Sequence, residues 1–303
     1  MSLRLSCVIL PTRRWHELRG LWRRAEELGF HTGYTYDHLL WEPLRDRPWL
    51  GAVPTLTGAA CVTERLRLGT LVTSPNFRHP LPLAREVMTL DDISGGRVTL
   101  GVGAGWTGHD AVVLGRPACS VRERADRFAE FVALLDQALS AGGDAEAVSS
   151  YEGRCFTARE TSMLPGCVQR PRPPFAVAAL GARGMRVAAR YGQAWVTAGA
   201  PELFGTTGSP AVARRALRRQ RDALHAACER VGRDAAGIDK ILLTGLTADR
   251  PLASFDAFVD LAGVHAEMGF TEIVLHWPTA ESWFDADENL FERVATEGLA
   301  QLA

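Results

Sequence analysis

Short apolar runs alternate with longer amphipathic stretches along most of this chain. Eight runs predict β-strands, at residues 4–10, 31–36, 66–72, 98–102, 175–180, 194–197, 240–246 and 272–275. The apolar residues are continuous within each run and do not alternate with polar ones. We therefore expect both faces of each strand to be buried, as in a parallel sheet.

The stretches between these strands have the period of amphipathic helices. Helices are predicted at residues 15–28, in a segment that ends at Cys61, and at 81–90, 121–139, 184–191, 210–231, 254–268 and 288–302. Gly29 would end the first of them as a C-terminal cap. Eight strand–helix units in a chain of 303 residues predict an α/β fold, a (β/α)8 TIM barrel. An open doubly wound sheet is the alternative, but it has no reason to stop at eight units.

One segment interrupts the alternation after the fourth unit. Residues 141–174 are irregular and rich in glycine and proline, and Tyr151-Glu152-Gly153 within them predicts a short hairpin. We interpret this segment as an insertion loop, so that residues 1–303 form a single domain. In a barrel the active site lies where the strands end at their C-terminal side, and functional residues are expected just after strands.

Composition excludes several classes of function. The formal net charge is −1, which gives no electrostatic basis for binding nucleic acid or an anionic membrane. None of the six cysteines forms a C-x-x-C pair, so neither a metal site nor a redox dithiol is expected. The first residues lack the pattern of a signal peptide, and no run approaches about 20 apolar residues. These features lead us to expect a cytoplasmic protein.

The fourth strand runs into closely spaced glycines. Gly103, Gly105 and Gly108 formally spell G-x-G-x-x-G, which binds dinucleotides only where a helix begins at once after the strand. The next predicted helix begins near Ser120, so this context does not favour a dinucleotide site. A glycine-rich turn without a ligand is the simpler alternative.

Four further motifs occur in order along the chain. They are Tyr36-Asp37-His38, Thr73-Ser74-Pro75-Asn76-Phe77-Arg78-His79-Pro80, Leu90-Asp91-Asp92-Ile93-Ser94-Gly95-Gly96-Arg97 and Gly101-Val102-Gly103-Ala104-Gly105-Trp106. With them, nearly the whole chain resembles the bacterial luciferase-like monooxygenase superfamily, and within it the oxidoreductases that depend on the deazaflavin coenzyme F420. The resemblance implies a barrel that holds a flavin or deazaflavin over its C-terminal mouth, and a homodimer.

The resemblance assigns the catalytic role to His38. Hydride transfer to a C=C, C=N or C=O bond develops negative charge, and a histidine can supply the compensating proton near neutral pH. Asp37 would lie against the ring system of the cofactor, and an adjacent carboxylate would orient the histidine. An ordinary histidine without a catalytic role is the alternative, because the chain contains eight.

Further cofactor contacts follow from the same resemblance. They are assigned to Thr73, Ser74, Ala104, Gly105, His109, Gly181, Ala182 and Arg183. Thr73 and Ser74 end the third strand, where the backbone of this family turns under the ring, often through an unusual peptide. Gly181 and Ala182 correspond to a loop at a helix N-terminus that suits an anion, to which Arg183 could add a charge-assisted contact.

One position departs from the family pattern. Deazaflavin enzymes that act on sugars carry a glutamate base soon after the glycine run, whereas this chain has Trp106-Thr107-Gly108-His109-Asp110. A sugar-phosphate oxidation is therefore in doubt, with His109 and Asp110 as the residues that could replace the glutamate.

Aromatic residues follow several predicted strands. Trp41, Trp106 and Trp277 come after strands two, four and eight, and His276 lies beside Trp277. Tryptophans that converge at one mouth would form a flat, apolar substrate pocket with few polar anchors. Ordinary packing at the top of the barrel is the alternative.

Three functions follow from this interpretation. The leading one is an F420-dependent oxidoreductase that transfers hydride between the deazaflavin and an unsaturated or carbonyl-bearing small molecule. The second is a two-component monooxygenase that uses reduced FMN and oxygen on the same fold. The third is a barrel that binds flavin without chemistry, which the intact His38 and glycine run disfavour.

Overall fold

Eight parallel strands close into a barrel in the structure, a computed structural model that describes residues 3–106, 108–141, 149–205 and 209–302. Around the ring the strands follow the order β1-β10-β9-β8-β7-β4-β3-β2. The strands of the barrel are β1 (Arg4–Val8), β2 (Thr32–Thr35), β3 (Arg67–Thr70), β4 (Val98–Gly103), β7 (Phe175–Ala178), β8 (Ala194–Thr197), β9 (Asp239–Leu243) and β10 (Glu272–His276). The predicted (β/α)8 barrel is confirmed.

Helices surround this ring. They are α1 (Trp15–Glu27), α2 (Ala52–Ala60), α3 (Pro80–Ile93), α4 (His109–Val113), α5 (Val121–Ser140), α6 (Ala182–Tyr191), α7 (Pro210–Glu229), α8 (Phe255–Glu267) and α9 (Glu288–Glu297). Short 3-10 helices occur at Glu42–Leu44, Pro201–Leu203, Ala235–Gly237 and Leu299–Leu302. None of the helices formed by the described residues combines the length and the apolar character that crossing a bilayer requires.

Local sequence signals explain where the helices begin and end. Leu18, Trp22 and Ala25 recur on one face of α1 and are all buried against the barrel. Gly29 follows α1 with φ +81°, the left-handed conformation that glycine adopts easily. Ser120 begins α5 with a capping box, in which its hydroxyl accepts from the Glu123 amide and the Glu123 carboxylate accepts from the Ser120 amide.

The core has two layers, as the alternation of side chains along each strand requires. Alternate residues such as Val8, Tyr34, Ile241 and Val274 fill the inside of the barrel. Their neighbours in the chain, such as Cys7 and Ile273, pack outward with helix residues such as Trp22. Near the C-terminal ends of the strands, an inward-facing side chain therefore points towards the mouth of the barrel. An outward-facing side chain packs against the helices instead.

The insertion contains the predicted hairpin. Strands β5 (Ser149–Glu152) and β6 (Thr157–Thr161) pair antiparallel outside the barrel, while residues 142–148 of the insertion lie outside the described part of the chain. Phe156 fixes the hairpin to the surrounding helices: its ring lies 5.4 Å from His79 and 6.0 Å from Phe131 between ring centroids.

The expectation of no helix before Ser120 is wrong. The short helix α4 begins at His109, directly after Gly108, whose φ of +73° turns the chain out of the glycine run. Sequence periodicity misses it because five residues make little more than one turn. The closed barrel order nevertheless differs from the doubly wound sheet that a dinucleotide motif requires.

Candidate active site

The mouth of the barrel contains two separate polar networks just after β2. Asp37 and His38 are adjacent in sequence, but their side chains have different partners. Successive side chains of an extended segment point in opposite directions, so neighbours in the chain need not act together.

Asp37 is 1% exposed and is held by two side chains from the β3–α3 segment. Its carboxylate accepts from the Thr73 hydroxyl and from the Arg78 guanidinium, through Nε at 3.0 Å and Nη2 at 2.7 Å. This paired, two-point contact is the strongest geometry for a buried carboxylate. The hydrogen bonds and charge of Asp37 raise the pKa of Arg78 in spite of the larger opposing effect of burial. Arg78 also reaches Glu86 at 3.1 Å.

His38 is oriented by a residue from another strand unit. Its Nδ1 lies 2.8 Å from Oδ2 of Asp110, and Oδ1 of Asp110 accepts from the Leu39 amide at 2.8 Å. The carboxylate that orients the histidine is thus Asp110 on α4 and not Asp37, which corrects the expectation from the sequence. The Asp110 side chain is 3% exposed, whereas that of His38 is 27% exposed and accessible from the mouth.

The β3 and β4 side of the mouth is built almost without side chains. Any Cβ at Gly101 would overlap the Thr70 carbonyl, and one at Gly103 would lie 2.6 Å from Val72. Gly105 has φ +74°, and a Cβ there would overlap the Asn76 amide. These glycines let the backbone segments approach closely, and the Leu71–Val72 peptide bond, just before the Thr73–Ser74 position at which the resemblance implies an unusual peptide, is cis.

Alanines extend this surface across β7 and to the end of β8. Ala176, Ala178 and Ala198 belong to the layer inside the barrel. Thr73 and Ser74 are buried where β3 ends, and Thr73 exchanges backbone hydrogen bonds with Gly101 and Gly103 at 2.9 Å. The side chains on this surface are small, with Val72 lying against Gly101 and Gly103, and such a surface suits a planar ring system. Thr73, Ser74, Ala104 and Gly105 are therefore brought together.

The remaining predicted cofactor residues lie at two helix starts. Gly181 is the N-cap of α6 and has no side chain with which to cap the first amides of that helix. Both Gly181 and Ala182 are exposed. Nε of Arg183 lies 3.1 Å from Asp126 on α5, so this guanidinium already has an acidic partner. His109 is half-buried as the first residue of α4.

Aromatic side chains form the opposite side of the mouth. We call this group the aromatic wall; its members are Tyr36, Trp41, Trp49, Trp283 and Phe284. Trp41 is central to it: its ring centroid lies 5.9 Å from Phe284 in a stacked arrangement and 5.4 Å from Tyr36 edge-on. Trp49 donates its indole N–H to the His38 carbonyl at 2.9 Å, which links the wall to the histidine.

His276 supports the wall from inside the barrel. Its Nε2 lies 2.8 Å from the Tyr36 hydroxyl, and its ring stacks on Phe284 with centroids 3.6 Å apart. Burial lowers the pKa of His276 to about 3 and raises that of Tyr36, so both are neutral near pH 7. His276 is 4% exposed and lies beneath the wall rather than on its open face.

Trp277 does not join this group. Its side chain is 6% exposed and packs in the outer layer, with its ring centroid 4.9 Å from that of Phe291 on α9. Because His276 points into the barrel, its neighbour on the same strand end points outward. The structure thus separates Trp277 from the mouth residues with which the sequence grouped it.

Trp106 lies on the mouth but apart from the aromatic wall. It is 57% exposed, and its ring meets Phe204 edge-on with centroids 5.0 Å apart. We call Trp106 and Phe204 the aromatic pair. Sequence reasoning missed Phe204, Trp49, Trp283, Phe284, Asn76 and Arg78; all of them lie in segments that follow barrel strands, which is the signal that could have found them.

Comparison with known proteins decides the family. A profile described as luciferase-like monooxygenase matches residues 4–251, more than half of the chain. The chain belongs to the luciferase-like monooxygenase family. It is 34% identical to an F420-dependent glucose-6-phosphate dehydrogenase of Beutenbergia cavernae, an alignment that covers 92% of this chain and 90% of the relative.

Two solved structures show how widely this fold is shared. The coenzyme F420-dependent tetrahydromethanopterin reductase from Methanopyrus kandleri superposes with a TM-score of 0.78 at 18% identity over 100% of both chains. The monooxygenase RslO1 from Streptomyces bottropensis gives 0.76 at 22% identity over 99% of this chain and 100% of that one. At these identities the likeness concerns the fold.

Proposed function

We propose that this chain is an F420-dependent oxidoreductase that transfers hydride between the deazaflavin and an unsaturated or carbonyl-bearing small molecule. The observation that carries the proposal is a histidine, held by a buried carboxylate, beside a flat backbone surface at the barrel mouth. The 34% identity to an F420-dependent dehydrogenase over 92% of the chain supports the choice of cofactor.

The surface beside β3 and β4 would hold the ring system. Thr73, Ser74 and Gly105 would contact it through backbone, and the uncapped start of α6 at Gly181 would receive an anionic group of the cofactor. When bound, the deazaflavin supplies or accepts a hydride, which is a pair of electrons with one proton.

His38 would move the compensating proton. A carboxylate can only accept, so the contact with Asp110 assigns the proton to Nδ1 and leaves Nε2 to exchange one with the substrate. Reduction of a carbonyl group needs one hydride on carbon and one proton on oxygen, and His38 Nε2 would donate the latter. Asp110 would stabilise the imidazolium that donates it and would keep the ring in one orientation.

Arg78 and Asp37 would act as support and not as acid or base. Their paired contact, with Thr73, ties the end of β2 to the end of β3 below the proposed ring site. The aromatic wall would exclude water from the reacting groups.

A monooxygenase that uses reduced FMN is the second candidate, because the apolar wall would also shelter an oxygen-dependent reaction and RslO1 shares the fold.

The requirement for oxygen distinguishes the two candidate functions. Reduced F420 is mixed with the protein and a panel of ketones and enones without oxygen, and the return of oxidised F420 absorbance is followed. We expect turnover without oxygen. In His38→Ala we expect the turnover rate to fall by about two to four orders of magnitude, with little change in F420 affinity.

Turnover only with reduced FMN and oxygen would contradict the proposal, and unchanged turnover in His38→Ala would remove His38 from the mechanism. We further propose a homodimer, which the family resemblance implies, and a cytoplasmic location, with which six free cysteines are compatible. Sedimentation of the purified protein would test the dimer.

A further inference from the structure

The two most exposed tryptophans of the chain lie on the barrel mouth. Of the eight tryptophans, Trp106 is 57% exposed and Trp283 is 53% exposed, while the others are more covered. Large exposed aromatic surface is costly in water, and where it lines a concave site it marks a place where a ligand binds.

The order of strands places these two side chains on opposite sides of the mouth. The aromatic wall follows β2 and β10, which flank β1, and the aromatic pair follows β4 and β8, which flank β7. In a closed ring of eight, β1 and β7 are separated by four steps in either direction. The aromatic wall and the aromatic pair therefore face each other across the opening.

Two of the four polar side-chain groups of the wall are bonded within the protein. The Tyr36 hydroxyl is bonded to His276, and the Trp49 indole N–H is donated to the His38 carbonyl. Arg47 lies in the same loop as Trp41 and donates to the Ala280 carbonyl at 2.6 Å. What the wall presents to a substrate is therefore mainly ring faces, with His38 at its edge.

The opposite end of the barrel contains the only lysine in the sequence. Lys240 lies near the start of β9 and donates its ammonium hydrogens to the carbonyl oxygens of Ala235 and Ile238, each at 3.1 Å. Both of these acceptors precede the strand. A phosphate group at the mouth would therefore have to be neutralised by arginines, and Arg47, Arg78 and Arg183 already have carbonyl or carboxylate partners.

We propose that the substrate is a planar, uncharged, conjugated ring compound that carries the reacting C=O or C=C bond, bound between the aromatic wall and the aromatic pair. Ring faces bind a flat conjugated molecule by stacking and by burying apolar area, whereas they leave sugar hydroxyls and a phosphate without partners. This inference rests on the proposed F420-dependent function and specifies the substrate class of that site.

A matched pair of ketones tests the proposal. 1-Tetralone and 1-decalone share a ten-carbon skeleton and one carbonyl, but only 1-tetralone contains an aromatic ring. Each is titrated by calorimetry into protein saturated with oxidised F420, which cannot reduce them, and glucose 6-phosphate is titrated in parallel. We expect 1-tetralone to bind at least about fivefold more tightly than 1-decalone, and glucose 6-phosphate to show no saturable binding.

Variants assign the preference to the wall. Trp283→Ala is expected to abolish the difference between the ketones while F420 affinity stays unchanged. Because the Trp283 side chain is half exposed, the change should leave the melting temperature close to that of the wild type, which a melting curve verifies. Val121→Ala, which removes an apolar side chain 75% exposed at the start of α5, is the matched control and should retain the difference.

Equal affinity for the two ketones, no binding of either, or preferential binding of glucose 6-phosphate would each overturn the inference. Failure of the proposed function itself is seen separately, because the protein would then fail to bind F420 when it is loaded with the cofactor before the ketones are titrated.

Discussion

Asp110 holds His38 across 72 residues of sequence, with Oδ2 of the carboxylate 2.8 Å from Nδ1 of the imidazole. Its other oxygen accepts from the Leu39 amide, so one buried side chain fixes both the ring and the backbone of the β2 exit. The catalytic centre that we propose is thus assembled from the loops after β2 and β4, which are not neighbours in the barrel.

Replacement of Asp110 by asparagine should impair catalysis without impairing cofactor binding. The amide can no longer stabilise an imidazolium or enforce the Nδ1 proton, so kcat should fall by about a hundredfold, with F420 affinity within about twofold of wild type. Steady-state kinetics with reduced F420 and nitrogen NMR of the imidazole check both points. A His38 Nδ1 proton signal that persists unchanged in Asp110→Asn, with full kcat, would show that Asp110 does not position the ring.

Loss of Arg78 should destabilise the fold. In Arg78→Met the Asp37 carboxylate, 1% exposed, keeps only the Thr73 hydroxyl as a side-chain partner among the described residues, and a buried charge left in this way costs about 3 kcal/mol or more. Urea unfolding measures the change in the free energy of unfolding.

The double variant Asp37→Asn/Arg78→Met provides the control for this pair. Since it removes both charges, it should lose clearly less stability than the sum of the two single variants. Strict additivity would mean that the two side chains do not interact in solution.

Gly105→Ala should weaken cofactor binding. Gly105 has φ +74°, and an added Cβ would overlap Asn76, so the backbone must move away from the proposed ring surface. We expect the F420 dissociation constant to rise by about tenfold or more. Gly115→Ala is the matched control, since Gly115 has φ +72° but open space around it. Similar F420 affinities for the two variants would locate the cofactor away from Gly105.

Stability should fall in acid because of His276. Its pKa is lowered to about 3 in the fold, below the ordinary histidine value near 6.5, so the neutral form is favoured in the native state. The contribution is present above about pH 6.5 and is lost as the pH falls towards 3, by roughly 2 kcal/mol between pH 7 and pH 5. His276→Gln should remove that part of the slope in urea unfolding at each pH. An identical slope in both proteins would contradict burial of a neutral His276.

The fold could be predicted because its signals are local and repeated. Nearly every residue of the barrel strands is buried, and eight such strands that alternate with helices specify the barrel. Strand ends were less predictable: β1 was expected to reach Leu10, but the strand ends at Val8, although the Ile9 amide still donates to the Tyr34 carbonyl at 2.8 Å.

The site was only partly predictable, because it depends on contacts between distant segments. The adjacency of Asp37 and His38 suggested a pair, yet their side chains diverge, and the partner of His38 comes from a five-residue helix that periodicity cannot detect. The prediction that Trp277 lines the mouth was wrong for a local reason. It follows a strand as expected, but it lies one residue out of phase with the inward-facing His276.

Direct titration of the purified protein with coenzyme F420 and with FMN, side by side and followed by fluorescence quenching, shows which cofactor this barrel holds. We expect F420 to bind with a dissociation constant of about 1 μM or below and FMN to bind much more weakly. Preference for FMN would move the protein to oxygen-dependent monooxygenation, and binding of neither would contradict the proposed function altogether.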